Sequence, residues 1–149
     1  MKPGDLAPDF TLPDQDGTPR TLSALLENGP VVLFFYPAAM TSGCTAQSCH
    51  FRDLAREFAE AGAQRVGISM DDVAKQKQFA DVNGFDYPLL SDVDGAVADG
   101  FGVKRRFGIT PVKRHTFVIG TDREIIEVVK SEFSMNSHAD KALEALRSR

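Results

Sequence analysis

The sequence has no tryptophan, only two cysteines among 149 residues and no long apolar run. Two cysteines are too few for the disulfide framework of a small secreted domain, so we expect a reducing, cytoplasmic location. No segment is long and apolar enough to span a membrane, and residues 1–10 lack the apolar core of a signal peptide. The net charge of −4 does not suggest a nucleic-acid-binding surface.

Length and composition are those of one globular domain covering residues 1–149, with enough apolar residues for a sizeable core. Strand-like runs alternate with helical patterns, and a hairpin and a helix end the chain, which indicates an α/β fold. The predicted strands are 8–12, 31–36, 65–70, 88–90, 113–119 and 124–130. The predicted helices are a turn at 22–26, 44–61, 73–82 capped by Asp71 or Asp72, 96–101, and a last helix capped by Ser137, with Leu143 and Leu146 facing inward.

The segment 34–53 carries the most chemical information. Pro37 ends the predicted strand 31–36, and a short loop leads to a helical pattern that begins near Cys44. A thiol at a helix start meets the positive end of the helix dipole and free backbone N–H groups. Both favour the thiolate, which is the nucleophile, so we predict a reactive cysteine at Cys44.

Helical periodicity separates the two cysteines. An apolar stripe with spacing i, i+3, i+4 and i+7 includes Cys44 on its inward side, whereas Cys49 groups with charged residues. The stripe consists of Phe51, Leu54, Ala55 and Phe58. Because an unpaired cysteine is usually buried, Cys49 on a polar face is a candidate partner for Cys44, although an inert exposed thiol is the alternative.

The spacing of the cysteines has a mechanical consequence. Five positions span about 7.5 Å along an intact helix, and the two side chains point to different faces. A disulfide needs Cα atoms within about 7 Å of each other. If Cys44 and Cys49 pair, the segment 41–51 must therefore unwind, which predicts a redox cycle coupled to local unfolding.

These residues resemble the active-site signature of the peroxiredoxins, most closely the peroxiredoxin Q group, also called bacterioferritin comigratory proteins. The central match is Pro37, Thr41 and Cys44 in a Pro-x-x-x-Thr-x-x-Cys pattern after an apolar strand. Further similar stretches are 4–10, 35–37, 43–45, 51–53, 66–69, 87–92, 101–103 and 114–119. The resemblance implies a thioredoxin-like fold, with a central mixed β-sheet flanked by helices, and a thiol-dependent peroxidase that uses no cofactor.

The resemblance also implies roles for individual residues. Cys44 would be the peroxidatic cysteine, which attacks a hydroperoxide and becomes sulfenic acid. Thr41, Arg114 and the backbone N–H of Cys44 would donate to the departing oxygen, and Pro37 would shield the pocket. Cys49 would resolve the sulfenic acid as a disulfide, which thioredoxin or a similar thiol reductant would reduce. The implied substrates are hydrogen peroxide and organic hydroperoxides, and the implied assembly is a monomer.

Each role has a structural alternative. Thr41 could cap the helix, Arg114 could be a surface cation, and Pro37 could simply end the strand. Gln47 stands where the family usually has a glutamate that holds the active-site arginine, so a looser arginine is one expectation. Arg105 and Arg106 are further candidates for the active-site cation.

Other functions are weaker candidates. A one-cysteine peroxidase resolved by an external thiol remains open, as do a general thiol–disulfide oxidoreductase and a binding protein with a vestigial cysteine. A general oxidoreductase would normally use Cys-x-x-Cys, whereas four residues separate Cys44 and Cys49. We expect no metal, since these cysteines and His50 lack a fourth ligand. The run 92–95 begins like a calcium loop but fits a turn and helix cap better.

Overall fold

The structure, a computed structural model, describes residues 1–108 and 110–148. Its strands are β1 (Thr11–Pro13), β2 (Pro19–Thr21), β3 (Val31–Phe35), β4 (Gln64–Ser69), β5 (Leu89–Ser91), β6 (His115–Ile119) and β7 (Ile125–Lys130). Its helices are α1 (Leu22–Leu25), followed by a 3-10 turn (Leu26–Asn28), α2 (Ser42–Asp53), α3 (Ala55–Glu60), α4 (Val73–Asn83), α5 (Ala96–Gly100) and α6 (Ser137–Arg147).

Five of the strands form a mixed sheet in the order β5-β4-β3-β6-β7. Strand β3 lies at its centre, pairing parallel with β4 and antiparallel with β6. Every residue of β3 is fully buried, because helices or loops cover both faces of the sheet, and this explains its continuous apolar run. The arrangement confirms the predicted α/β sheet flanked by helices.

The two faces of β3 support separate cores. Val31, Leu33 and Phe35 join an apolar cluster on one face, whereas Val32 and Phe34 join a second cluster on the other face. The second cluster includes Cys44 and the inner faces of α2, α4 and α6, and Leu143 and Leu146 pack against it as predicted. Within it, the ring of Phe34 stacks on that of Phe51, with a centroid separation of 4.1 Å and an interplanar angle of 6°. This stack anchors the second half of α2 to the sheet.

Three sequence predictions were wrong in detail. The predicted strand 8–12 overlaps β1 only at its end, and β2 was missed, because the buried Asp14 carboxylate organises the intervening turn by accepting from Thr18 N at 3.0 Å and Arg20 Nε at 2.8 Å. The predicted helix 44–61 begins two residues earlier and is divided at Leu54, where φ is −97° and ψ is 21°. Ser137 does not cap α6; it lies inside the helix, and its hydroxyl donates to Ser134 O.

Other local predictions hold. Asp72, rather than Asp71, caps α4 by accepting from Lys75 N at 2.8 Å. The run 92–95 forms a turn that leads into α5, whose N-cap is Gly95, and the Asp92 carboxylate accepts from the backbone N–H groups of Val97 and Ala98. Strands β6 and β7 form the predicted hairpin. Of the helices within the described ranges, none has the length and apolarity needed to cross a membrane.

Candidate active site

The loop between β3 and α2 is tied to the end of β4. Asp71 accepts two hydrogen bonds on Oδ2, from Ala39 N at 2.7 Å and from Ser69 Oγ at 2.6 Å. Met40 has a φ of 67°, a left-handed conformation that is uncommon for a side chain of its size. Pro37, which follows β3, is partly buried. These contacts turn the chain sharply so that α2 starts directly above the end of the central strand.

Cys44 is the third residue of α2 and is 1% exposed. Its backbone N–H lies in the first turn of the helix, where N–H groups have no intrahelical acceptor and carry the positive end of the dipole. The first i to i−4 bond is made one residue later, from Thr45 N to Thr41 O at 2.8 Å. The predicted placement of a free thiol at a helix start is therefore observed.

Arg114 brings a positive charge to this thiol from the start of β6. Its Nη2 donates to Cys44 Sγ at 3.2 Å, and its Nη1 donates to Gln47 Oε1. The side chain is buried, since the whole residue is 7% exposed. The alternative of a surface cation is therefore wrong, and a guanidinium in a poorly solvated site favours the anionic form of the thiol that it contacts.

Thr41 directly precedes α2, but among the described residues its side chain makes no capping hydrogen bond and none to Cys44. The hydroxyl donates instead to Ala38 O at 2.8 Å, and the residue is exposed. Thr41 therefore holds the N-cap position of α2 through its backbone, whereas its side chain makes no capping bond. The predicted donor role requires the hydroxyl to rotate toward the thiol when substrate is present.

Cys49 lies in the same unbroken helix as Cys44, and both thiols are free. It is partly buried rather than fully on a polar face, because α4 packs beside it and Asn83 Oδ1 lies 3.7 Å from its sulfur. The structure therefore keeps the two thiols apart, as the helix geometry predicted.

Because Arg114 supplies the cation next to Cys44, the site does not require the other two candidates, Arg105 and Arg106. Arg105 forms an ion pair with Glu132 at 2.5 Å, and Arg106 is exposed. Glu132 also lies 3.3 Å from the backbone N of Arg114. The Arg105 pair thus links the loop before β6 to the segment after β7, next to the Arg114 backbone.

Comparison with known proteins settles the family. Residues 3–128 match the sequence profile of the AhpC/TSA family. The chain belongs to the AhpC/TSA family.

Two solved structures and a relative found by sequence extend this assignment. Peroxidoxin BcpB of Mycobacterium tuberculosis is 66% identical with a TM-score of 0.96, and the match covers 99% of this chain and 97% of that one. Peroxiredoxin Q of Xanthomonas campestris is 32% identical with a TM-score of 0.86, over 94% and 90% of the two chains. The chloroplastic peroxiredoxin Q of Arabidopsis thaliana is 42% identical over 145 residues, which cover 97% of this chain and 66% of the relative.

These similarities confirm the predicted resemblance to peroxiredoxin Q proteins, the thioredoxin-like fold and thiol-dependent peroxidase activity. Peroxiredoxins use peroxide substrates and thiol reductants. The two cysteines of α2 suit an AhpC/TSA peroxidase with one peroxidatic and one resolving thiol.

Two further residues complete the surroundings of this peroxiredoxin site. Gln47, which stands where the family usually has a glutamate that holds the arginine, is fully buried and accepts from Arg114 Nη1. Met135 reaches the first turn of α2, since a Cβ added at Gly43 would lie 3.6 Å from its sulfur. No local pattern indicates the approach of Met135, because it depends on how the segment before α6 folds back.

His138 is another buried residue that the sequence did not single out. Its Nδ1 lies 2.7 Å from Thr116 Oγ1, and its Nε2 lies 2.7 Å from Ser131 O. A carbonyl can only accept, so Nε2 carries the proton and Nδ1 accepts from the threonine. Burial lowers the pKa of His138 and favours this neutral ring. The bonds hold α6 against β6, two residues from Arg114.

Proposed function

We propose that the chain reduces hydrogen peroxide and organic hydroperoxides with Cys44 as the peroxidatic cysteine and Cys49 as the resolving cysteine. The contact between Arg114 Nη2 and Cys44 Sγ at 3.2 Å carries this proposal. It joins a buried thiol at a helix start to a buried cation, which is the setting that activates a cysteine nucleophile.

In the first step, the Cys44 thiolate attacks the terminal oxygen of ROOH, and the O–O bond breaks. The sulfur becomes sulfenic acid, and the departing RO⁻ takes a proton to leave as ROH. Arg114 and the free N–H groups of the first turn of α2 stabilise the negative charge that develops on the oxygens. Thr41 adds a donor once its hydroxyl leaves Ala38 O, and Pro37 limits access to the sulfenic acid.

In the second step, the Cys49 thiol attacks the Cys44 sulfenic acid, releasing water and forming a disulfide. The intact α2 separates the two residues by about 7.5 Å along its axis, so at least the segment 44–49 must unwind first. The bonds that oppose unwinding include Arg114 to Gln47, Tyr87 Oη to Ser48 O at 2.6 Å, and His50 Nε2 to Asp140 Oδ1 at 2.8 Å. The stack of Phe34 on Phe51 anchors the helix beyond this segment.

A dithiol reductant such as thioredoxin then returns the disulfide to two thiols, which closes the cycle without a cofactor. A reducing compartment such as the cytoplasm supports this step, and we expect a monomer to be sufficient. The range of substrates includes alkyl hydroperoxides, because a structural relative, the bacterioferritin comigratory protein of Xanthomonas campestris, is described as having alkyl peroxide reduction activity. Met40, which is 40% exposed in the loop before α2, offers such a substrate an apolar contact.

Intact mass after one equivalent of peroxide tests the mechanism. We expect the wild type to lose two thiols and about two hydrogens, as a disulfide requires. The Cys49→Ser variant should gain one oxygen on Cys44, and Cys44→Ser should not react. Normal thioredoxin-dependent turnover by Cys49→Ser would instead establish a one-cysteine enzyme. Insulin reduction without peroxide consumption would favour a general thiol–disulfide oxidoreductase.

A further inference from the structure

Two phenylalanine side chains project into solvent from loops beside the candidate active site. Phe107 is 89% exposed and Phe133 is 96% exposed, whereas the other nine phenylalanines are buried or partly buried. An aromatic ring in water forgoes the favourable free energy of burial. Single apolar side chains scattered over a surface are common, so the two rings carry information only if they lie on the same face of the protein.

The loops that carry these rings are joined next to the first turn of α2. Arg105, two residues before Phe107, forms an ion pair at 2.5 Å with Glu132, which directly precedes Phe133. Two residues after Phe133, the side chain of Met135 reaches the first turn of α2. Both loops therefore border the candidate active site, and the two exposed rings belong to one face.

The same face carries positive charge. The loop before β6 contains Arg105, Arg106 and Lys113, of which Arg105 is paired with Glu132. Arg106 and Lys113 are exposed, so two cations remain beyond this ion pair. The chain as a whole has a net charge of −4. Charges farther away than a Debye length, about 10 Å at 0.1 M salt, are largely screened, so the local cations govern what approaches this face.

We propose that Phe107 and Phe133 anchor the protein on an anionic membrane surface, with Arg106 and Lys113 contacting the lipid head groups. Exposed aromatic rings enter the boundary between head groups and acyl chains, and neighbouring cations add attraction to anionic lipids. Docking of this kind needs no membrane-spanning helix. A second copy of the chain fits less well, because a two-fold contact would bring the same cations of both copies into one interface.

The position of this face gives the docking a use. It borders the site that holds Cys44, so a docked molecule would meet hydroperoxides formed on the acyl chains of membrane lipids. This consequence rests on the proposed peroxidase function, whereas the docking itself does not.

Co-sedimentation with vesicles tests the docking without any peroxidase reaction. We expect the protein to bind phosphatidylcholine vesicles that contain phosphatidylserine, and to bind pure phosphatidylcholine more weakly. Replacing both Phe107 and Phe133 with serine should weaken binding about tenfold or more, because the apolar contact is lost. Arg106→Glu should weaken it about tenfold, because two units of charge change next to the head groups.

Two variants elsewhere in the molecule are matched controls. Leu6→Ser removes another exposed apolar side chain, which lies beside Glu124 near the turn between β6 and β7, away from the start of β6. Arg56→Glu makes the same charge change at an exposed position of α3. Neither should alter vesicle binding.

The absence of tryptophan allows insertion to be measured at single positions. Phe107→Trp and Phe133→Trp each keep an aromatic ring and introduce one indole as a fluorophore. On vesicles with phosphatidylserine, the emission of both should shift to shorter wavelength and be quenched by brominated acyl chains. Val82→Trp, at an exposed position of α4, is the control and should show neither change.

Three results would overturn the proposal. The first is no binding of the wild type to vesicles with phosphatidylserine, and the second is equal quenching at positions 82, 107 and 133. The third is a dimer that dissociates when both phenylalanines are replaced, without vesicle binding, which would assign the face to a second copy. Thermal unfolding and hydrogen peroxide turnover should be unchanged in the double phenylalanine variant. Failure of the peroxidase function would abolish that turnover in the wild type and leave vesicle binding intact, so the two failures are distinguishable.

Discussion

The first turn of α2 and the middle of the same helix each carry a cysteine, and the surroundings of the two thiols differ. Cys44 is 1% exposed and contacts the buried Arg114 guanidinium. Cys49 is partly buried beside α4, and its sulfur has Asn83 Oδ1 at 3.7 Å. The first site supplies a helix start and a cation in direct contact with the sulfur, which stabilise an anion, whereas the polar atom against the second sulfur is a neutral oxygen.

This difference corresponds to two chemical requirements. A peroxidatic thiol must be anionic and enclosed before substrate arrives, so it benefits from rigid partners. A resolving thiol must reach a partner that the helix holds away from it, so it benefits from a segment that can open. We therefore expect changes at the first turn of α2 to alter the peroxide reaction, and changes near its middle to alter opening and disulfide formation.

The largest expected effect is on stability and comes from Phe51, which anchors α2 just beyond the segment 44–49 that must unwind. Phe51→Ala removes a fully buried ring that stacks on Phe34, so the free energy of unfolding should fall by about 3–5 kcal/mol. Chemical denaturation of the reduced protein measures this loss. A loss below about 1 kcal/mol would mean that the stack does not anchor α2.

Replacing Arg114 should distinguish the reactivity of Cys44 from that of Cys49 most directly. Arg114→Met should lower the rate constant for reaction with peroxide about 10²–10³-fold, the cost of losing one donor to developing charge. Alkylation of Cys44 at neutral pH should slow as well, whereas Cys49 should react as before. Arg105→Met is the matched control, because Arg105 pairs with Glu132 and not with Cys44. Equal losses in the two arginine variants would contradict the contrast between the cysteines.

His115, the neighbour of Arg114, limits the pH range in which the cysteines can be compared. Burial first, and then Lys130 and Lys113, lower its pKa to about 4. As the pH falls below 6.5, His115 becomes protonated in the unfolded chain but stays neutral in the folded chain. The free energy of unfolding is therefore fully retained above pH 6.5 and decreases as the pH falls toward 4. We expect a loss of about 1–2 kcal/mol, less than the full shift implies, because the ring is partly exposed. Thermal unfolding of His115→Gln should show a weaker acid dependence over this window.

The smallest expected effect concerns the exposed tie between α2 and α6. Asp140→Asn weakens the contact from His50 Nε2, and an exposed pair of this kind contributes about 0.2–1 kcal/mol. Hydrogen exchange at residues 44–50 and disulfide formation should both accelerate, by at most about fivefold. Arg56→Ala, which removes an exposed pair with Glu60 within α3, is the control and should change neither rate. Equal rates in Asp140→Asn and the wild type would show that the contact between His50 and Asp140 does not contribute to the barrier to opening of α2.

Local patterns accounted for much of the fold and for part of the site. The apolar run of β3, the cap of α4 at Asp72 and the hairpin of β6 and β7 depend on near neighbours in the chain, and all three were predicted. The turn at Asp14 was missed, because a buried carboxylate organises it. The predicted cap of α6 at Ser137 was wrong, because the Ser137 hydroxyl donates back to Ser134 O. The direction of the Thr41 hydroxyl also differed, since it follows from the loop's own carbonyl at Ala38.

The sequence by itself determined that a thiol follows an apolar strand at a helix start, and that a second thiol lies too far along the helix to pair with it. Both conclusions follow from local geometry, which a few neighbouring residues impose. Only the tertiary structure decided what the first thiol meets. Antiparallel pairing of Phe34 with Thr116 brings Arg114 level with the end of β3, so contacts form across 70 positions to Cys44 and 67 to Gln47. Such contacts depend on the register of the sheet, which no local pattern encodes.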